Sequence, residues 1–248
     1  MKYNDTPATL HPLTAMLDDV CETPYIYHFE EIPLPCFFLQ VNESHTYITE
    51  YIADKLIMGE VMVPQSTCTS TVFTLEDTRD TTLSRLVYNI DQLAFANEPQ
   101  GICIGIRIKP AVTANAKDEN LSRFFSILAE YKKVCWVFYT RDMNLCDSRG
   151  ITRLITDNFG ADLFTLRLGE YLPDQMAQIV INKLEELNIT FLDREEALME
   201  LEDMLSDCKG VNQALGCIPA LLKSTIYYDG GMLLTAEDIR TSMEDKQI

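Results

Sequence analysis

Basic residues are scarce in this sequence. Lys and Arg number 20 against 38 Asp and Glu over 248 residues, a formal net charge of -18. Binding nucleic acid through phosphate contacts needs a basic face, so no nucleic-acid partner is expected. The same balance disfavours docking on anionic lipid. A basic protein partner, or simple solubility, fits it better. Long apolar runs are missing too. No window reaches the roughly 18 apolar residues of a membrane span, so no membrane is expected as a partner. The first twenty residues lack a signal-peptide-like apolar run and carry the adjacent acids Asp18 and Asp19, so no secretory leader is expected. Histidine is limited to His11, His28 and His45, spaced too far apart for a zinc site, and no metal ligand set is expected. Cys21, Cys36, Cys68, Cys103, Cys135, Cys146, Cys208 and Cys217 form no CxxC pair. Several lie in apolar runs, which reads as reduced, buried thiols of a cytoplasmic protein rather than a disulfide framework.

Apolar content is 47%, enough for a sizeable core, and the length allows one α/β domain plus a small helical one. Residues 1–35 are rich in Pro and aromatics. A short helix is expected over 13–20, opened by Pro12, and Pro24, Pro33 and Pro35 then break the chain. The alternation of Tyr25, Tyr27 and Phe29 suits an edge strand. From Cys36 strands and helices alternate. Strands are expected over 36–41, 70–75, 101–108, 134–140 and 162–168. Helices are expected over 47–56, 78–97, 117–131 and 147–157. Apolar strands separated by amphipathic helices imply right-handed βαβ crossovers and a mostly parallel five-stranded sheet sandwiched by helices.

Beyond Gly169 the periodicity is helical. Pro173 suits a first helical position with Asp174 in the first turn. Asp193 with Glu196 makes a capping box, as does Thr235 with Asp238. Gly216 and Pro219 disturb a helix over 212–225. The expected organisation is an irregular segment 1–35, an α/β core 36–169 and a small all-helical lid 170–248. Nine acids against the single base Arg194 over 185–207 read as a solvated helical face, or as a docking surface for a basic partner.

Three stretches carry a resemblance to a known family. GEYLPDQMAQIVINKLEEL (169–187), ITFLDREEALMELEDML (189–205) and LTAEDI (234–239) resemble the lid of AAA+ ATPases, in particular the red-type rubisco activase and sporulation stage V group. The resemblance implies a P-loop NTPase fold over roughly 36–242. It also implies where ATPase residues should stand. A phosphate loop needs G-x-x-x-x-G-K-[ST], whose backbone N–H groups, Lys and hydroxyl hold phosphates and Mg²⁺. The pattern places Leu39 and Ser44 on its glycines, Asn42 on an additional glycine, His45 on the lysine and Thr46 on the hydroxyl. Only Thr46 matches, and Glu43 adds a negative charge beside the phosphates. Ile106 and Arg107 stand where the metal-holding and water-polarising acids belong. The arginine offered to a neighbouring subunit falls near Ala161, and the lid arginine near Gly216 and Pro219. A polar residue persists at the end of the fourth strand as Thr140.

With the lysine, both acids and the arginines absent, the electrostatic stabilisation of phosphoryl transfer is gone. The expectation is therefore a pseudo-ATPase without catalytic residues or cofactor, acting through protein–protein interaction. Its partner would be an active AAA+ subunit, another protein, or its own copies. The alternative is an α/β protein binding ATP, ADP or another small molecule without turnover, with Asn42, His45, Thr46 and Thr140 lining the site. Other groups read more simply as structure. Cys36 with His45 is no nucleophile pair unless the fold brings them together. Trp136 with Phe138 and Tyr139 reads as core, and Tyr227–Tyr228 as aromatics flanking a turn, or as a contact for a lid neighbour or partner.

Overall fold

Five mostly apolar runs become five strands, and in the three central ones runs of Val, Ile, Phe and Cys bury both faces of a parallel sheet. They are β1 (Cys36–Gln40), β2 (Ser70–Leu75), β3 (Ile102–Ile108), β4 (Val134–Thr140) and β5 (Leu163–Arg167). The computed structural model describes residues 6–41, 45–63, 69–97, 101–114, 119–141, 150–160, 163–228 and 230–244. The chain divides into two units, one of Pro12–Leu168 and one of Met1–His11 with Gly169–Ile248. Residues 12–35 thus group with the sheet, and the described residues before them with the C-terminal part.

The sheet runs β2-β3-β4-β1-β5 and every pairing in it is parallel. Its helices are α1 (His11–Cys21), α2 (His45–Met58), α3 (Asp80–Ala96), α4 (Pro110–Thr113), α5 (Glu119–Leu128) and α6 (Ile151–Phe159). Alternate strand residues point to opposite faces. One set, including Phe38, Ile104, Ile106, Trp136 and Phe138, meets Leu83 and Ile90 of α3, Phe124, Phe125 and Leu128 of α5, and Ile155 of α6. Trp136 and Phe138 stack at 6.1 Å, and Phe125 and Phe159 close on Phe138 at 5.5 and 5.2 Å. The opposite face receives α2. There the Oγ1 of Thr49 and the hydroxyl of Tyr139 share a buried hydrogen bond of 2.6 Å.

The expected edge strand at Tyr25, Tyr27 and Phe29 does not form. Pro24–His28 is a 3-10 turn, because Pro24 opens a helical turn and Tyr25 and Phe29 are each 63% exposed, with no sheet face to bury them. The thiols of Cys36, Cys103, Cys135 and Cys217 are buried and form no disulfide. Burial foremost, with the neighbouring Cys103 thiol, pushes the Cys135 thiol well above its ordinary value, which keeps it protonated and inert. Cys68 and Cys146 lie outside the described residues.

The C-terminal unit is helical in the main: α7 (Pro173–Glu186), α8 (Arg194–Leu205), α9 (Val211–Leu215), α10 (Ile218–Ser224) and α11 (Ala236–Glu244). The break between α9 and α10 falls at Gly216 and Cys217, with Pro219 inside the first turn of α10. The Asp193 carboxylate accepts from the backbone N–H of Glu195 and Glu196, both at 3.0 Å. Of the acid-rich stretch, Glu185 pairs with Arg194 at 2.8 Å, Glu186 with Lys183 at 3.5 Å, and Glu200 with Arg240.

An all-helical lid is not what forms. β6 (Ile189–Phe191), β7 (Ile226–Tyr228) and β8 (Gly231–Leu234) make a three-stranded sheet in the order β6-β8-β7. β8 pairs parallel with β6 and antiparallel with β7. These strands are too short to show a period of two, and β6 finds its partner far along the chain, so local pattern carries no sign of them.

After β8 a reciprocal capping box forms. The Asp238 carboxylate accepts from the Thr235 N–H at 3.0 Å and hydroxyl at 2.7 Å, and the Asp238 N–H donates to the Thr235 hydroxyl oxygen at 3.2 Å. Asp238→Ala is expected to cost about 1 kcal/mol locally. Hydrogen exchange of the α11 amides should then run about fivefold faster. Unchanged protection would mean that packing alone fixes this helix.

Candidate functional site at the carboxyl edge of the sheet

In a parallel sheet the carboxyl ends of the strands open onto the loops that lead into the helices, where ligands are held. In the α/β unit that edge is formed by Gln40, Leu75, Ile108, Thr140 and Arg167. The register sets Thr140 beside Gln40, and Gln40 beside Arg167. The backbone closes the row: Val41 N–H donates to the Thr140 carbonyl at 3.1 Å, and Leu168 N–H to that of Gln40 at 2.9 Å. The Gln40 amide donates to the Arg141 carbonyl at 3.3 Å.

The four expected ligand-lining residues fare differently. Asn42 lies outside the described residues. His45 opens α2, but its side chain lies outside the described set. Thr46, one residue into α2, is exposed. Thr140 is 2% exposed. Thr46 is thus open to solvent at the start of the helix, whereas Thr140 is embedded in the strand row. Leu39, on the first glycine position, is wholly buried.

At the end of β3 the two residues expected in place of acids separate by strand alternation. Ile106 has no exposed surface and lies between Phe73 and Phe138 in the register. Arg107, half-buried, belongs to the α2 face. Among the described residues, no three His, Cys, Asp or Glu side chains converge as a metal site would need. Ala161 lies outside the described residues. In the C-terminal unit, Gly216 and Pro219 occupy helix boundaries and supply no cation.

One feature of this edge escaped the sequence reading. Arg107, Lys109, Arg141 and Arg167 lie within one residue of the carboxyl ends of β3, β4 and β5, in a chain with net charge -18; β3 and β4 are neighbours, and β1 separates β4 from β5. Lys109 pairs with Glu76 at 3.8 Å. Arg79 pairs with Asp77, whose carboxyl is held down at about 2, chiefly by the hydrogen bond from the Arg79 side chain. Arg107, Arg141 and Arg167 make no ion pair among the described residues. The signal was available in the sequence, since each base punctuates the end of an apolar run.

No protein-family model and no curated protein matches this chain. Solved structures do. Domain III of the replication initiation protein DnaA of Thermotoga maritima has a TM-score of 0.50 at 13% identity, covering 94% of this chain and 91% of that one. The fold is of the AAA+ type. Two other solved structures are more distant. The Aeropyrum pernix ORC1 protein, solved in complex with DNA, gives 0.48 at 10% identity over 94% of this chain. The Bacillus subtilis DNA clamp loader delta protein gives 0.37 at 14% over 91%. This chain spans 65% of the ORC1 chain and 61% of the delta protein. The five-stranded parallel sheet, flanking helices and mainly helical C-terminal unit are this AAA+ architecture. At these identities the likeness concerns fold alone, and the chemistry has to be argued from the residues at the edge. No described helix is long and apolar enough to cross a membrane.

Proposed function

We propose that this protein is an AAA+-like pseudo-ATPase that acts by binding other proteins. The observation that carries the proposal is Ile106. Phosphoryl transfer on this fold needs a carboxylate at the end of β3 to hold Mg²⁺ and another to polarise water. Here one position is an aliphatic side chain with no exposed surface and its neighbour is an arginine. The substitutions at His45 and around Ala161 point the same way. A domain that keeps the architecture without this chemistry retains its surfaces, and AAA+ surfaces serve subunit contact. The expected partners are an active AAA+ subunit, another protein or further copies of this chain. A net charge of -18 argues against DNA as a direct ligand, whatever ORC1 holds. A cytoplasmic setting follows from the cysteine usage.

The test is phosphate release from ATP with Mg²⁺. No release above the protein-free rate is expected, for the parent and for Thr46→Ala alike. Release that depends on Mg²⁺ and disappears in Thr46→Ala would overturn the proposal. A second reading, anion binding without turnover, is favoured by Arg107, Arg141 and Arg167 at one edge. Melting the same samples with ATP in EDTA separates the two. Ligand at about 100 times its Kd adds about 2.7 kcal/mol, a shift that an empty edge would not give.

A further inference from the structure

The C-terminal unit carries a strand that its own core does not cover. Along one register row of the small sheet, Ile189 of β6 is 4% exposed, Met232 of β8 37% and Tyr227 of β7 75%. These three share the face that also holds Leu234, which is fully buried. The row therefore starts over the core and ends beyond it. On the opposite face Ile226 and Tyr228 are 49% and 67% exposed. Both faces of β7 are open, and its outer edge pairs with no strand among the described residues.

Proteins ordinarily blunt such an edge with charge, proline or a bulge, because unpaired N–H and C=O groups recruit another strand. β7, Ile-Tyr-Tyr, is only three residues long but carries no charge and no proline. Tyrosines at an exposed edge supply large contact area at low entropic cost, as residues at interface centres do. We infer that β7 is a docking edge that takes an extended, basic segment of a partner protein as an added strand. The inference rests on the protein-binding role proposed above and names the surface and the partner's chemistry.

Charge decides the occupant. Residues 169–248 hold sixteen acids and six bases. Asp229 follows β7 in sequence, and Glu237 and Asp238 open the helix that follows β8. A second copy of this chain would bring the same acidic excess to the contact, and like charges across an interface oppose it. A segment with Lys or Arg between β-branched residues adds backbone pairing to β7 and complements the acidic excess of residues 169–248.

A random ten-residue peptide library displayed on phage, selected on the full-length chain, tests this. Recovered peptides should be enriched in Lys and Arg alternating with β-branched residues. Their affinity should fall about tenfold in the Tyr227→Lys/Tyr228→Lys variant. Circular dichroism and the melting midpoint check that the variant folds, and Tyr227→Ser/Tyr228→Ser, which adds no charge, should also weaken binding. Acidic or charge-neutral peptides, or peptides bound equally by all variants, would overturn the β7 assignment while leaving a protein-binding role intact. Dimerisation lost in the same variants would make a second copy the occupant and equally overturn it. Phosphate release from these preparations reads the pseudo-ATPase proposal separately.

Discussion

Ile106→Asp is expected to lower the melting midpoint by about 10 °C or more. Ile106 has no exposed surface and sits in the register between Phe73 and Phe138. Removing the aliphatic side chain costs about 2 kcal/mol of burial and packing. The carboxylate that replaces it meets aromatic and aliphatic carbon, so a further few kcal/mol is lost to an unpaired polar group. A total of about 4 kcal/mol or more corresponds to about 10 °C for a chain of this size. The sign of the pH dependence follows. Burial raises the folded-state value of this new acid above its unfolded one. The destabilisation is then greatest above the folded value and shrinks as pH falls towards the unfolded one. Melts of variant and parent at pH 7 and pH 5 should show the gap narrowing at pH 5. A variant melting within about 2 °C of the parent would mean that the end of β3 tolerates the acid, and gain of Mg²⁺-dependent hydrolysis would mean that a single residue held the chemistry back.

That prediction marks where the sequence was informative. The α/β unit was legible because its signals are local: apolar runs for strands, apolar stripes for helices. β2 and β4 have the expected bounds, and α2 extends the expected helix by about one turn. The small sheet was illegible because β6, β7 and β8 are three to four residues long and exist only through pairing between distant segments. Tyr227 and Tyr228 look in sequence like turn-flanking aromatics. That they stand on an open edge depends on Met232 lying beside Tyr227, and Ile189 beside Met232, a tertiary fact. The candidate site was legible by subtraction, as residues missing from a family pattern. What stands in their place was not: Arg107 was read as a lost acid, whereas it is a cation beside Tyr139 near the carboxyl end of β3, at the same edge of the sheet at which Arg167 ends β5 beside Gln40.

Gly105→Val is expected to destabilise the α/β unit by about 3 kcal/mol, and the reason ties the sheet to the helix that bears Thr46. A Cβ on Gly105 would lie 2.7 Å from Thr49 Oγ1 and 3.0 Å from both Tyr139 Cε2 and Val72 Cγ2. Three elements, α2, β4 and β2, close on this one position, so no single rotamer change makes room. Thr49 cannot retreat freely, because its hydroxyl shares the buried 2.6 Å hydrogen bond with Tyr139. Gly105→Ala should cost about 1 kcal/mol, since the smaller side chain loses less to overlap and gains by restricting the unfolded chain. The mechanism has its own check in a double-mutant cycle. Thr49→Ala alone loses the hydrogen bond and should cost about 1 kcal/mol. Combined with Gly105→Ala it removes the atom that the new Cβ strikes. The pair should therefore be less destabilised than the two single changes added, by about 1 kcal/mol of coupling, read from urea midpoints. Strict additivity would show that Gly105 is not held small by Thr49, and that α2 is seated on the sheet by its apolar residues Ile48 and Ile52 instead.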